Sequence, residues 1–151
     1  KIINMSIFGN LFGGDSGPVT LNKQEAFAGI LLSIIAADGQ ITQEEGQDFI
    51  STLQRARLMN SVNNNQFRDM MNKLQKYMRK NSPEALVDLC AEHLPAEYAN
   101  GTFAYACDLV FSDGTADESE QKLLDQIKLK LNIDDSLAYK VGEVLMIKNK
   151  I

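Results

Sequence analysis

The sequence predicts an all-α fold, namely a single compact bundle of about seven helices with an internal pseudo-two-fold repeat of helix–turn–helix hairpins. From residue 21 onward, apolar side chains recur three and four positions apart, which is the spacing of one helix face. No run alternates β-branched and polar residues as a half-buried strand does. A chain of 151 residues suits one domain. We therefore expect a flexible N-terminal segment over residues 1–20 and one helical domain over residues 21–151.

The first half of the chain carries three predicted helices. Leu21–Ala37 is almost entirely apolar from Phe27 onward, which predicts a helix in the middle of the core. Thr42–Arg57 follows, with its apolar residues on one face. Three asparagines at positions 63–65 interrupt the pattern before the third predicted helix, Gln66–Lys80.

The second half carries four more predicted helices. Ser82, Pro83 and Glu84 mark the start of a helix that runs to about His93. Serine caps a helix, proline fits its first position, and an acid is stabilised near its positive end. The apolar spacing predicts the remaining helices over Ala96–Ser112, Asp117–Leu131 and Asp134–Lys148.

One stretch of the sequence occurs twice. Residues 34–45 align with residues 109–120, and in each copy a buried helix ends in Asp-Gly. A short turn follows, and a polar cap then begins an acidic helix. The coincidence of this whole pattern predicts a duplicated hairpin.

Both copies place a glutamate seven positions after the aspartate, as Asp38 and Glu45 in the first and as Asp113 and Glu120 in the second. This spacing is that of the second half of a helix–loop–helix calcium site. The positions four and two residues before each aspartate are apolar, which excludes a standard calcium loop. A pair of two-carboxylate half-sites remains, whose hard oxygen ligands favour calcium, magnesium or manganese over zinc. Water or the other copy would have to complete the metal's ligands.

The sequence leaves open a second interpretation of these acids, in which they stabilise turns and helix ends and bind no metal. Thr42 and Glu45 match a capping box, and Asp117 and Glu120 can form another. Each Asp-Gly pair fits the end of a helix, where glycine supplies a positive φ. A carboxylate that caps a helix can still offer its second oxygen to a cation.

No catalytic site is predicted, because the sequence contains no recognisable nucleophile motif and no glycine-rich phosphate loop. Cys90, His93 and Cys107 lack a fourth ligand for zinc, and both cysteines lie at apolar helix positions that suit core residues. Asp108 lies within an apolar helix and needs a partner if it is buried. A hydrogen bond would satisfy it, and a role as a further metal ligand is the alternative.

The charge distribution limits the partners of the protein. A net charge of −5 argues against nucleic acid as a partner, and we expect no small-molecule substrate. Two cysteines indicate a reducing, cytoplasmic setting. The helix Gln66–Lys80 is basic and rich in methionine, which would suit an anionic membrane surface or a partner helix. The alternative is an ordinary core-facing stripe with a charged solvent face.

The N-terminal segment is apolar but does not resemble a secretory signal. Seven large apolar side chains occur between residues 2 and 12, interrupted by asparagine, serine and glycine. The glycine-rich run at residues 13–17 then predicts a flexible linker between this segment and the helical domain. We expect this segment to pack on its own domain, with an anchor to a membrane or partner as the alternative.

With its paired motifs, Asp38-Gly39 with Glu45 and Asp113-Gly114 with Glu120, the chain resembles the TerB family of tellurite-resistance proteins. The resemblance runs from about Leu21 to the C-terminus. It implies a non-catalytic protein of the tellurite and chemical-stress response, with metal binding through those four acidic residues. It further implies assembly with other proteins of a stress-response complex and peripheral contact with the inner face of the inner membrane. The second copy departs from the first at Ala116 and Asp117, so the two half-sites are not expected to be equivalent.

Overall fold

The computed structural model describes residues 17–112 and 116–151 and confirms the all-α class. The described residues form seven α-helices, joined by short turns and two single 3₁₀ turns. Most of the predicted N-terminal segment, residues 1–16, lies outside the described residues, and so do Asp113, Gly114 and Thr115. The helices are α1 Lys23–Ile35, α2 Gln43–Arg55, α3 Asn64–Lys80, α4 Pro83–His93, α5 Ala99–Phe111, α6 Glu118–Lys130 and α7 Asp135–Asn149.

Helix α1 occupies the middle of the core, as its composition predicted. All ten residues from Ala26 to Ile35 are buried, and α1 packs against α4, α5, α2, α6 and α3. The approach of α4 is close because residue 29 is glycine. A Cβ atom added at Gly29 would lie 2.4 Å from the Sγ atom of Cys90. This contact is tighter than van der Waals packing permits, so the spacing of α1 and α4 depends on the missing side chain.

Most predicted helix ends differ from the structure by only one or two residues, and two of the differences have a clear physical reason. The asparagines at 63–65 do not separate helices, since Asn63 caps α3 and the helix begins at Asn64. The predicted helix Ala96–Ser112 is divided into a 3₁₀ turn, Ala96–Tyr98, and α5. Asparagine side chains accept a hydrogen bond from a backbone amide as readily as they form turns, which explains the first error.

The basic helix α3 contributes a core-facing stripe. Met70 and Leu74 are buried, and Phe67, Met71 and Tyr77 pack partly buried against the core. Most of its arginine and lysine side chains are exposed, whereas Lys73 is half-buried and pairs with Glu25 of α1. The apolar side of α3 is therefore mostly packed within the domain, although part of it remains accessible.

Helix α7 packs mainly on α5. Its first turn is held to the end of α6 by an ion pair between Lys128 and Asp135. This hydrogen bond and the charge of Lys128 lower the pKa of the Asp135 carboxyl. None of the described helices combines the length and apolar character that crossing a lipid bilayer requires. The predicted pseudo-two-fold relation between the hairpins stays a prediction, because the turn of the second hairpin lies outside the described residues.

Candidate functional site

The first acidic motif forms the turn between α1 and α2. Asp38 is exposed, and its Oδ1 atom accepts a hydrogen bond from the Gln40 amide at 3.0 Å. Gly39 has a φ of +90°, a conformation that glycine adopts without steric cost. The Asp-Gly pair thus makes the turn, as the sequence predicted.

Glu45 of the same motif closes a capping box at the start of α2. Its Oε1 atom accepts from the Thr42 amide at 2.9 Å, and Thr42 Oγ1 accepts from the Glu45 amide at 3.1 Å. Two amides that the helix leaves without internal partners are satisfied in this way. The predicted capping role of Glu45 is confirmed.

The second motif shows the same cap at the start of α6. Asp117 Oδ1 accepts from the Glu120 amide at 2.8 Å, and Glu120 Oε1 accepts from the Asp117 amide at 3.2 Å. Asp113, the first acid of this motif, lies outside the described residues. The structure therefore places Glu120 but does not describe its relation to Asp113.

Capping boxes also begin α1 and α3, outside the acidic motifs. At α3 the pair is Asn63 and Gln66, and Gln66 Oε1 accepts from the Asn63 amide at 2.9 Å. The arrangement consequently needs a side-chain oxygen at the third helical position and no negative charge. Glu45 and Glu120 do in their helices what a neutral glutamine does in α3.

The described residues bring few candidate metal ligands together. Within residues 17–112 and 116–151, no three His, Cys, Asp or Glu side chains come together in a group able to hold a metal ion. Asp38 and Glu45 are thus joined by no third protein ligand from that part of the chain. A cation bound there would take most of its six to eight oxygens from water.

Cys90 and Cys107 are buried in the core, as their apolar positions predicted. Burial raises the pKa of the Cys107 thiol to about 12, and burial also raises the pKa of Cys90. Burial therefore disfavours the thiolate, the reactive form of cysteine, at both positions. His93 Nδ1 lies 2.9 Å from the Leu89 carbonyl oxygen within its own helix.

Asp108 is half-buried and ion-paired where three helices meet. Lys148 of α7 approaches Asp108 Oδ1 at 3.1 Å, and Arg55 of α2 approaches Oδ2 at 3.6 Å. The partner that the sequence required is thus a pair of cations at the surface. Asp108 ties α2 and α7 to α5.

An apolar groove between α2 and α3 is a feature that sequence analysis missed. It has a volume of about 750 Å³, within the range of ligand-binding clefts, and it is lined by Leu32, Ile35, Ile41, Ile50 and Met71 among other residues. Ile41 belongs to the first acidic motif and is 41% exposed. Its position in a polar turn was the one sequence signal of this groove.

A second unpredicted surface lies on α7. Tyr139, Val144, Met146 and Ile147 are 60–74% exposed, although all four are large and apolar. The spacing of apolar residues on α7 did not predict this surface, because the helix carries apolar residues on both its packed and its exposed sides.

The family model described as tellurite resistance protein TerB matches residues 24–141, which include α1 from its second residue, all of helices α2 to α6 and the first part of α7. Neither the comparison with curated proteins nor the comparison with solved structures found a match.

Proposed function

The chain belongs to the TerB family, and we propose that it is a non-catalytic component of the response to tellurite and related chemical stress that acts by contact with another protein. The open side of α7 carries this proposal. Four large apolar side chains exposed on one helix exceed the scattered single ones of an ordinary surface, and such clusters mark contact surfaces. Helix α3 is a poorer candidate, since its apolar side already packs on the core.

The proposal predicts that the apolar side of α7 is needed for protection against tellurite. In a host whose resistance depends on this chain, we expect Val144→Ser, Met146→Ser and Ile147→Ser together to reduce survival about tenfold or more. A few large apolar side chains commonly carry most of an interface's energy. The thermal midpoint should stay close to that of the parent chain, because these side chains are largely exposed.

The matched control is Leu129→Ser on α6, since Leu129 is 74% exposed but lies on a different helix. We expect it to leave survival unchanged. Full survival with the triple α7 variant would refute the proposed contact surface. Equal losses of survival in both variants would show a general effect of surface polarity and would also refute the proposed contact surface.

We propose as a second candidate that Asp38 and Glu45 bind a hard divalent cation weakly. The turn and the cap use Asp38 Oδ1 and Glu45 Oε1, so one oxygen of each carboxylate lies outside those bonds. Calcium, magnesium or manganese would fit such ligands, with water completing the shell. Asp113 and Glu120 would form the corresponding half-site in the second copy.

Thermal unfolding of chelator-treated protein tests the cation site. A cation that binds only the folded chain raises the midpoint as its concentration passes the dissociation constant. We expect this rise in the parent chain and its loss in Asp38→Asn with Glu45→Gln. These substitutions keep the oxygens that cap and turn, as Gln66 shows in α3. Asp113→Asn with Glu120→Gln reports on the second half-site.

Thr42→Ala is the control for capping. It should lower the free energy of unfolding by about 1 kcal/mol, because it removes the acceptor for the Glu45 amide, without changing the response to cations. A flat response of the parent chain to millimolar calcium, magnesium and manganese would refute the cation site. The acids would then serve as caps alone.

A further inference from the structure

The groove between α2 and α3 continues into a second cavity along the same two helices. This cavity, of about 220 Å³, shares Ile50 with the groove and is lined by Leu53, Met59, Val62 and Phe67 among other residues. Among the described residues, the lining of both cavities includes glutamine, asparagine and serine but no charged side chain. The surface therefore suits an uncharged, apolar segment.

We propose that residues 2–12 of this same chain dock in the groove between α2 and α3. Residues 2–14 contain no charged side chain, and seven of the residues from 2 to 12 are large and apolar. The polar residues among them are asparagine and serine, which match the neutral polar residues of the lining. Removing such apolar side chains from water favours their docking in an apolar groove.

The chain enters the domain beside the helix that forms one wall of the groove. Lys73 of α3 donates to the Thr20 carbonyl oxygen at 2.8 Å and pairs with Glu25 at 3.1 Å. Met71 and Gln75 of the same helix line the groove. The residues between 12 and 20 can span about 25 Å when extended, which exceeds the width of about 10 Å of a helix. The tether is thus long enough to pass around α3.

The exposed side of α7 fits the segment less well. Lys140 and Glu143 lie on that helix among its exposed apolar residues, whereas the part of the chain that the structure describes gives the groove no charged lining residue. An uncharged segment on α7 would desolvate those two side chains without pairing them. The proposed docking is separate from the proposed contact at α7 and does not depend on it.

Backbone amide spectra of the full chain test the docking. We expect Phe8→Ser with Phe12→Ser to shift the amide signals of groove residues such as Ile41, Ile50 and Met71. The matched control, Asn4→Ser with Asn10→Ser, changes the same segment without removing an apolar side chain and should leave those signals in place. Thermal unfolding of both variants checks that the helical domain stays folded.

A groove substitution gives the reciprocal test. In a Met71→Gln chain, Phe8→Ser with Phe12→Ser should shift the remaining groove signals less than it does in the parent chain. Absence of shifts in the groove of the parent chain would overturn the proposal, and so would shifts confined to α7. Shifts that appear only as the protein concentration rises would place the segment on a second copy and would also overturn it. The survival assay of the α7 variant is unaffected by any of these outcomes.

Discussion

Replacement of Gly29 by alanine should lower the free energy of unfolding by about 1–3 kcal/mol, although alanine is the better helix former. The new methyl group would meet Cys90 Sγ at 2.4 Å and Leu74 Cδ2 at 3.1 Å. All three residues lie in the core between α1, α3 and α4. The cysteine side chain is short and enclosed, so either it leaves its rotamer or the two helices separate. Chemical denaturation of the variant measures the loss.

A double-mutant cycle identifies the contact responsible. Cys90→Ala removes the sulfur atom, and its combination with Gly29→Ala should be more stable than the sum of the two single losses by about 1 kcal/mol, because contacting residues couple. Gly142→Ala is the matched control, since no atom lies within 4 Å of the Cβ position at this helical glycine. It should stabilise the protein by about 0.4–1 kcal/mol. Additivity of the Gly29 and Cys90 substitutions would contradict this account of the packing.

Leu74→Ala should cost about 2–5 kcal/mol, the largest loss expected from truncating one of the leucines of α3 and α6. Leu74 is fully buried and joins α3 to the core beside Gly29. Its truncation removes apolar contacts and leaves a cavity that rigid neighbouring helices do not fill. In a protein of this size, a loss of about 3 kcal/mol lowers the thermal midpoint by roughly 6–12 °C.

Leu129→Ala supplies the comparison with the same chemical change at an exposed site. Leu129 is 74% exposed on α6, so its truncation should alter the free energy of unfolding by no more than about 0.5 kcal/mol. Thermal unfolding of both variants, followed by circular dichroism, measures the difference. Similar losses at the two positions would show that the core is not organised around α1 and α3 as described.

The helices and their caps could be predicted because they depend on neighbours in sequence. Thr42 with Glu45, and Asp117 with Glu120, lie three residues apart, the separation that a capping box joins. The burial of α1 followed from its unbroken apolar composition. The start of α3 was predicted too late, at Gln66, because an asparagine side chain can form either a turn or a helix cap. Only the structure shows that Asn63 is the cap and that the helix begins at Asn64.

What the sequence alone determined is the all-α class, the order of the helices, the family resemblance and the acids of the two motifs. What only the tertiary structure decided is which apolar residues remain uncovered. Ile41 and Met71 lie 30 positions apart yet line one groove, and one face of α7 is left open because this helix packs mainly on α5. The hydrophobic effect depends on the area that is removed from water and not on direction. Periodicity can therefore mark an apolar face, but the arrangement of neighbouring helices determines whether that face is buried.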